Sequence, residues 1–236
     1  KLSQMKLGGA SLQQADLSLA LLADADLTAT SMRKANLERT VLTECRTSRL
    51  DLGGAALSFT ILWKVDLRET VLEGAVLERV TAIQGNFEGK DLRGLDLHGS
   101  QLNEGNFRGA DLRGANLRQC NFSNANLAGA RLDDAQADNG VFSEANLSGA
   151  RFQRARLHQA LLMQADLSGA DFSGAMMAQC LLMKSKIIGA LFEGTDLTYA
   201  DFSHADISRS VFANGKLFRT KFHCTIEQGT HFSDRS

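Results

Sequence analysis

Proline is absent from all 236 residues, and no linker-like or low-complexity stretch interrupts the chain. Nothing in the composition divides it, so a single domain over 1–236 is expected. A charge surplus is lacking too, with 26 Lys and Arg against 27 Asp and Glu. That removes any strong general pull toward nucleic acid or acidic membrane. No apolar run is long enough to span a bilayer, and no secretory signal is visible. Patterns that cradle phosphates, GxGxxG and the P-loop, are missing.

What is present is a count of five. Residues 109–117 read GADLRGANL, and Ala110-Asp111-Leu112 returns as Ala115-Asn116-Leu117. Starting at Leu2, every fifth residue up to Phe232 is a repeat centre, 47 positions without a slip of phase. All but Thr47, Ala82, Ala137 and Glu227 are Leu, Phe, Met or Ile. Two residues before each centre the side chain is nearly always small, and Asp or Asn commonly lies between, giving A-(D/N)-L-x-x. Neither a helix of 3.6 residues per turn nor a strand of period two holds this pattern on one face. A chain that bends at every repeat does. The small residue and the centre point inward, the Asp or Asn points outward, and the last two residues turn the corner.

Phenylalanine sets the number of sides. Eleven of the thirteen Phe occupy centres, and each has another Phe at a distance of 20. Corner glycines agree, as in the series from Gly89 to Gly189, and so do Asn86, Asn106, Asn126 and Asn146. A coil of four sides follows, with like residues stacked between layers.

From end to end, on the A-(D/N)-L-x-x motif, the chain resembles the pentapeptide-repeat family. The resemblance implies an all-β fold, a right-handed quadrilateral β-helix of about twelve coils. At about 4.8 Å per layer the rod is about 57 Å long. Its corner glycines suit turns that need positive φ. Being in register at Leu2 without an initiating Met, the chain is expected to be a piece of something longer.

Departures from the motif carry their own expectations. Val80 and Ala82 reverse the small-then-large order and conserve volume. Lys90 at an inward position calls for a bulge or an outward swing, since a buried unpaired ammonium is costly. Glu227 at an inward centre places the end of the regular ladder near the last coil. Cys45, Cys120 and Cys180 replace inward Ala. Cys120 and Cys180 lie three layers apart, beyond disulfide reach. Such buried thiols suit a reducing compartment, so the expected location is cytoplasmic, or a host or target cell for a delivered effector.

Chemistry finds few candidates. His204 and Cys224 stack at one corner with His223 adjacent, one ligand short of a zinc set. No Ser has a distinctive His and Asp beside it. Asp133-Asp134 lie on a convex surface where active sites are uncommon. No enzyme, metal or cofactor is expected. Arg113, Arg131, Arg151, Arg154 and Arg156 interleave with Asp111, Asp133 and Asp134 as a solvated mixed-charge face, without the interleaved aromatics of single-strand binders.

One outward feature stands apart. The face with centres Leu22, Leu42 and Leu62 carries apolar residues at outward positions. Leu21, Val41, Ile61, Trp63 and Ile83 form one group, and Val141, Leu161, Met163, Leu181 and Met183 a second. Contiguous exposed apolar surface marks interfaces, and Trp is a typical anchor. The expected partner is a protein or a second copy of the chain, with nucleic acid and small-molecule substrates disfavoured. Cover by another segment of the same protein is the alternative reading of the patch. For function, the resemblance implies a non-catalytic interaction module, and its members include adaptors, secreted effectors and regulators. Some members mimic DNA and bind type II topoisomerases, protecting them from quinolones. The Asp columns at Asp26, Asp66, Asp166 and Asp206 offer a diluted version of that surface, and the near-neutral charge opposes it.

Overall fold

The computed structural model describes residues 3–233, and among them there is no helix. Short parallel β segments repeat every five residues, each bridged to the segment 20 residues on, as along Asn86, Asn106, Asn126 and Asn146. Four segments per 20 residues make a four-sided coil. Most segments are single bridges. On one face they lengthen into β1 (Leu21–Ala23), β2 (Val41–Thr43) and β3 (Ile61–Trp63), a parallel sheet with Leu21 on Val41 and Val41 on Ile61. On another, β4 (Val211–Phe212) pairs with β5 (His231–Phe232). The ladder runs to β5 in the last coil, where the inward Glu227 carboxylate accepts a hydrogen bond from the Thr225 hydroxyl at 2.8 Å.

The period of five has a hydrogen-bond explanation, visible in residues 110–114. Ala110 N–H closes the corner onto Phe107 O at 3.0 Å. Asp111 N–H donates to Lys90 O in the preceding coil at 2.9 Å. Leu112 and Gly114 N–H donate to Arg131 O and Asp133 O in the next coil at 2.7 and 3.0 Å. One donor remains, Arg113 N–H, and it meets the Asp111 carboxylate at 3.3 Å. Five donors are thus satisfied, four by backbone and one by the Asp of the same repeat. Asn does the same, as Asn146 Oδ1 accepts from Ser148 N–H at 3.1 Å.

The Asn column is built from these corner caps more than from amide bonds between coils. Only Asn106 donates across to its neighbour, Asn86 Oδ1, at 3.2 Å. Asn126 and Asn146 instead accept from Ala128 and Ser148 within their own corners. The corners themselves have positive φ at their second residue, as expected. Glycine is not required for it, since Arg39, Gln119 and Tyr199 adopt φ of 55, 57 and 60°.

Inside, the Phe rings stack coil upon coil. Phe152, Phe172, Phe192 and Phe212 have successive centroid spacings of 4.9, 5.1 and 4.8 Å with nearly parallel planes. Rings on adjacent sides meet edge to face, as Phe192 and Phe202 do at 5.7 Å. Both arrangements suit the aromatic quadrupole. Cys45, Cys120 and Cys180 are buried free thiols whose Sγ donates to a main-chain carbonyl, as Cys120 does to Leu97 O at 2.9 Å. Burial pushes Cys120 and Cys180 up to about 12. The swapped pair Val80 and Ala82 is fully buried with its ladder intact.

Lys90 stays half-buried, and beside it the ladder parts: among the described residues there is no bridge between Arg46 and Asp66, Val71 and Asp91, or Val76 and Asp96. The Lys90 ammonium takes Thr70 O, the acceptor that Asp91 N–H would use, and reaches Arg68 O at 3.3 Å. Thr47 Oγ1 likewise holds Asp66 O. Oversized residues explain the opening. Leu50, Val65, Lys90 and Leu95 all occupy positions that elsewhere hold Ala or another small residue, without the compensating Ala that stands beside Val80. Overfilling a close-packed core forces its walls apart, and Lys90 and Leu95 remain half-buried. Burial also lowers the Lys90 pKa.

Two outcomes follow from this bonding scheme. Asn146→Ala should lower stability by about 1 kcal/mol, whereas Asn146→Asp should not, because only the former loses the acceptor; chemical denaturation reads the difference. Amides of Leu72, Leu77, Asp91 and Asp96 should exchange with deuterium faster than those of Leu112 and Leu117, and Lys90→Ala should restore their protection. Uniform protection in the parent protein would contradict the opening.

Candidate interaction surface

Outward side chains alternate with the inward core, so each face shows two columns flanking its centres. On the face of β1, β2 and β3 those columns place Leu21, Val41, Ile61, Trp63 and Ile83 together, all half-buried or exposed. Trp63 keeps 37 % of its surface accessible, with Lys64 Nζ 4.3 Å from the ring centroid. Farther along the same face, Val141 bridges Leu161 and Leu161 bridges Leu181, with Met163 and Met183 beside them. Gln101, Asn103, Asn121 and Ser123 occupy these columns between the groups, so the structure keeps two patches apart.

The apolar residues displace the groups that cap the corners. Where Asp or Asn would accept the next corner's N–H stand Val141, Leu161 and Leu181. Among the described residues the N–H groups of Ser143, Met163 and Met183 accordingly have no hydrogen-bond partner. One coil later Asp201 resumes the role, accepting from Ser203 N–H at 2.9 Å. Isolated apolar replacements occur on other faces, among them Val71, Val76, Met176 and Leu191.

The sequence reading missed the corner beside this face. Leu19 and Phe59 occupy corner positions there and are 75 % and 45 % accessible. Both have positive φ, 61 and 60°, which bulky side chains rarely adopt. The signal lay in the sequence, because large apolar residues at the second corner position are rare along the chain.

Elsewhere, charged side chains are spent on one another. Asp111 accepts from Arg113 at 2.6 Å and lies 3.7 Å from Arg131. Arg93 binds Asp91 and lowers its carboxyl to about 2. Asp133 is not a surface carboxylate as expected; it is almost fully buried, accepts from Gln153 N–H at 3.3 Å and lies 3.5 Å from Arg151. Asp134, Arg154 and Arg156 are exposed, with Arg154 on Asp134 at 2.8 Å and Arg156 on Asp138 at 3.3 Å. His223 Nε2 lies 3.3 Å from Cys224 Sγ and its ring 5.6 Å from that of His204. Among the described residues no three His, Cys, Asp or Glu side chains converge as metal ligands do.

The five-residue register is also what known families are recognised by. The model described as "Pentapeptide repeats (8 copies)" matches residues 20–55, 51–89, 72–109 and 177–214, and "Pentapeptide repeat region" matches 115–192. The chain belongs to the pentapeptide-repeat family. No curated protein matches its sequence. Among solved pentapeptide-repeat proteins it is similar to HetL, involved in heterocyst differentiation regulation in the cyanobacterium Nostoc sp. strain PCC 7120. The two share 26 % identity over 92 % of this chain and 89 % of HetL, with a TM-score of 0.59. Full-length QnrB1, a plasmid-mediated fluoroquinolone resistance protein, is 20 % identical over 73 % of this chain and 92 % of its own, with a TM-score of 0.56. That second likeness is one of fold alone. Both neighbours fit the β-helical architecture, and no helix among the described residues is long and apolar enough to cross a membrane.

Proposed function

We propose that this pentapeptide-repeat chain is a non-catalytic protein-interaction module that binds a protein partner, or a second copy of itself, through the face bearing Trp63 and Leu161. The reading takes residues 1–236 as one domain, wound right-handed in about twelve coils, acting in a reducing compartment. A single observation carries it: the face gives up its corner caps to display apolar side chains in two patches. The rod gains nothing from that exchange, since the displaced Asp and Asn residues close the repeat's own hydrogen bonds. Departures from local consistency of this kind concentrate at functional sites. The non-catalytic reading draws support from the pairing of the ionisable side chains with one another.

The DNA-mimic reading is weaker. Three of the four Asp it needs are neutralised in place: Asp26 lies 2.9 Å from Arg46, Asp66 2.7 Å from Arg68, and Asp166 3.2 Å from Lys186.

The test follows from the missing caps. Leu161→Asp restores an acceptor for Met163 N–H, so it should leave the folded rod as stable as the parent or more so. Association should fall with it, and likewise with Trp63→Asp. Light scattering and binding measurements unchanged in both variants would remove the face as an interface.

A further inference from the structure

The corner that borders the Trp63 face continues along the rod as a ridge, one residue per coil from Leu19 to Arg219. None of its eleven residues is Asp or Glu. The opposite border of the same face carries Asp24, Glu44, Glu104 and Glu144. At the second corner position the two borders therefore differ: one holds four carboxylates together with Lys64 and Lys184, the other none, the carboxylates of that second border, Glu38, Glu78 and Asp138, standing at its first corner position.

Near the β1–β3 patch the ridge builds a compact site. The Phe59 ring lies between two guanidiniums, with Arg39 Cζ 5.7 Å and Arg79 Cζ 5.6 Å from its centroid. The two cations are thus about two layers, roughly 10 Å, apart. Both are exposed, and among the described residues neither makes an ion pair or a side-chain hydrogen bond. That sets them apart from most arginines of the chain, which hold a carboxylate. Glu78, next to Arg79 in sequence, is engaged by His98 Nε2 at 3.5 Å. Stacking on an aromatic ring fixes a guanidinium's plane while leaving its N–H fork open to a carboxylate. Ile61 and Trp63 continue the apolar surface from Phe59 across the face. Toward the far end the ridge repeats the combination, with Arg219 Cζ 5.7 Å from the Tyr199 ring and 5.4 Å from that of Phe218.

Resting on the assignment of this face as an interface, we infer that its partner is an acidic protein segment. Two carboxylates about 10 Å apart bind Arg39 and Arg79, and apolar side chains between and beside them cover Phe59, Ile61 and Trp63. The chemistry favours a peptide over a single-stranded nucleic acid. Three unpaired guanidiniums spread over the length of the ridge do not match closely spaced phosphates. The broad aliphatic surface alongside suits leucine-like side chains.

The test is selection of a random-peptide phage library on the immobilised protein, followed by anisotropy titration of the synthesised winners. The variants are the double change Arg39→Gln with Arg79→Gln, and Trp63→Asp. Gln already stands on this ridge at Gln119, Gln159 and Gln179 with φ of 57, 58 and 62°, so the double variant keeps a residue the corner accommodates. Expected winners combine Asp or Glu with apolar residues, and lose at least tenfold in affinity in both variants. Winners that lack acidic residues and bind the double variant unchanged, yet need Trp63, would overturn the acidic partner and leave the interface standing. Winners indifferent to both changes, or no winners at all, would overturn both. Binding of oligo(dT) that the double variant abolishes would assign the ridge to nucleic acid. A concentration-dependent dimer abolished by it would assign the ridge to a second copy. Either result overturns the peptide.

Discussion

The structure depends on one constraint: a repeat of five closes fully only when each of its five backbone N–H groups finds an acceptor. Two donate to the coil above, one to the coil below, one closes the corner, and the last is taken by Asp or Asn of the same repeat. A chain bending this often would otherwise bury donors at a cost of about 1–3 kcal/mol each. The side-chain acceptor is what permits four corners per coil. It also favours the motif's order, since the capping Asp or Asn commonly stands two positions before the donor, although Asp133 and Asp138 cap Gln153 and His158 from the preceding coil. Apolar contacts fill the interior that this frame encloses, and the Phe stacks repeat at the spacing the backbone sets.

Most of the fold was legible because it repeats. A spacing of five located the corners, and the recurrence of Phe at 20 located the coil; Phe152, Phe172, Phe192 and Phe212 stack as that recurrence implies. The role of Asp and Asn was not legible from outward position alone. A ladder between layers and a cap within a corner predict the same column of residues, and only the bond directions separate them. The parting of the ladder near Lys90 was missed for a different reason. Lys90 alone does not reveal it, because the oversized inward residues are several, Leu50, Val65 and Leu95 as well. Asp133 looked like a surface carboxylate because its burial comes from neighbours 18 and 20 residues away.

The candidate surface shows the same division. Its ten apolar residues could be placed on one face from the period alone. Phe59, Arg39 and Arg79 could not, because corner residues were treated as punctuation rather than display. Yet a corner is where side chains project farthest from the core, and Arg39 and Arg79 stand there without a carboxylate partner among the described residues. Stability and display compete at each outward position. Where Asp or Asn stands, the repeat closes its own bonds; where Leu, Val or Met stands, it forgoes one. That exchange recurs in consecutive coils on the Trp63 face and is scattered elsewhere, which is the basis of the proposed interface.

The measurement that bears most directly on the frame is disulfide formation between paired cysteines, in a background where exposed Cys224 is changed to Ser. Arg131 and Arg151 bridge each other in adjacent coils, so Arg131→Cys with Arg151→Cys should oxidise readily, as a Cα separation near 5 Å allows. Arg131→Cys with Arg156→Cys, one side farther on, should stay reduced. Equal oxidation of the two pairs, or preference for the second, would contradict the 20-residue coil.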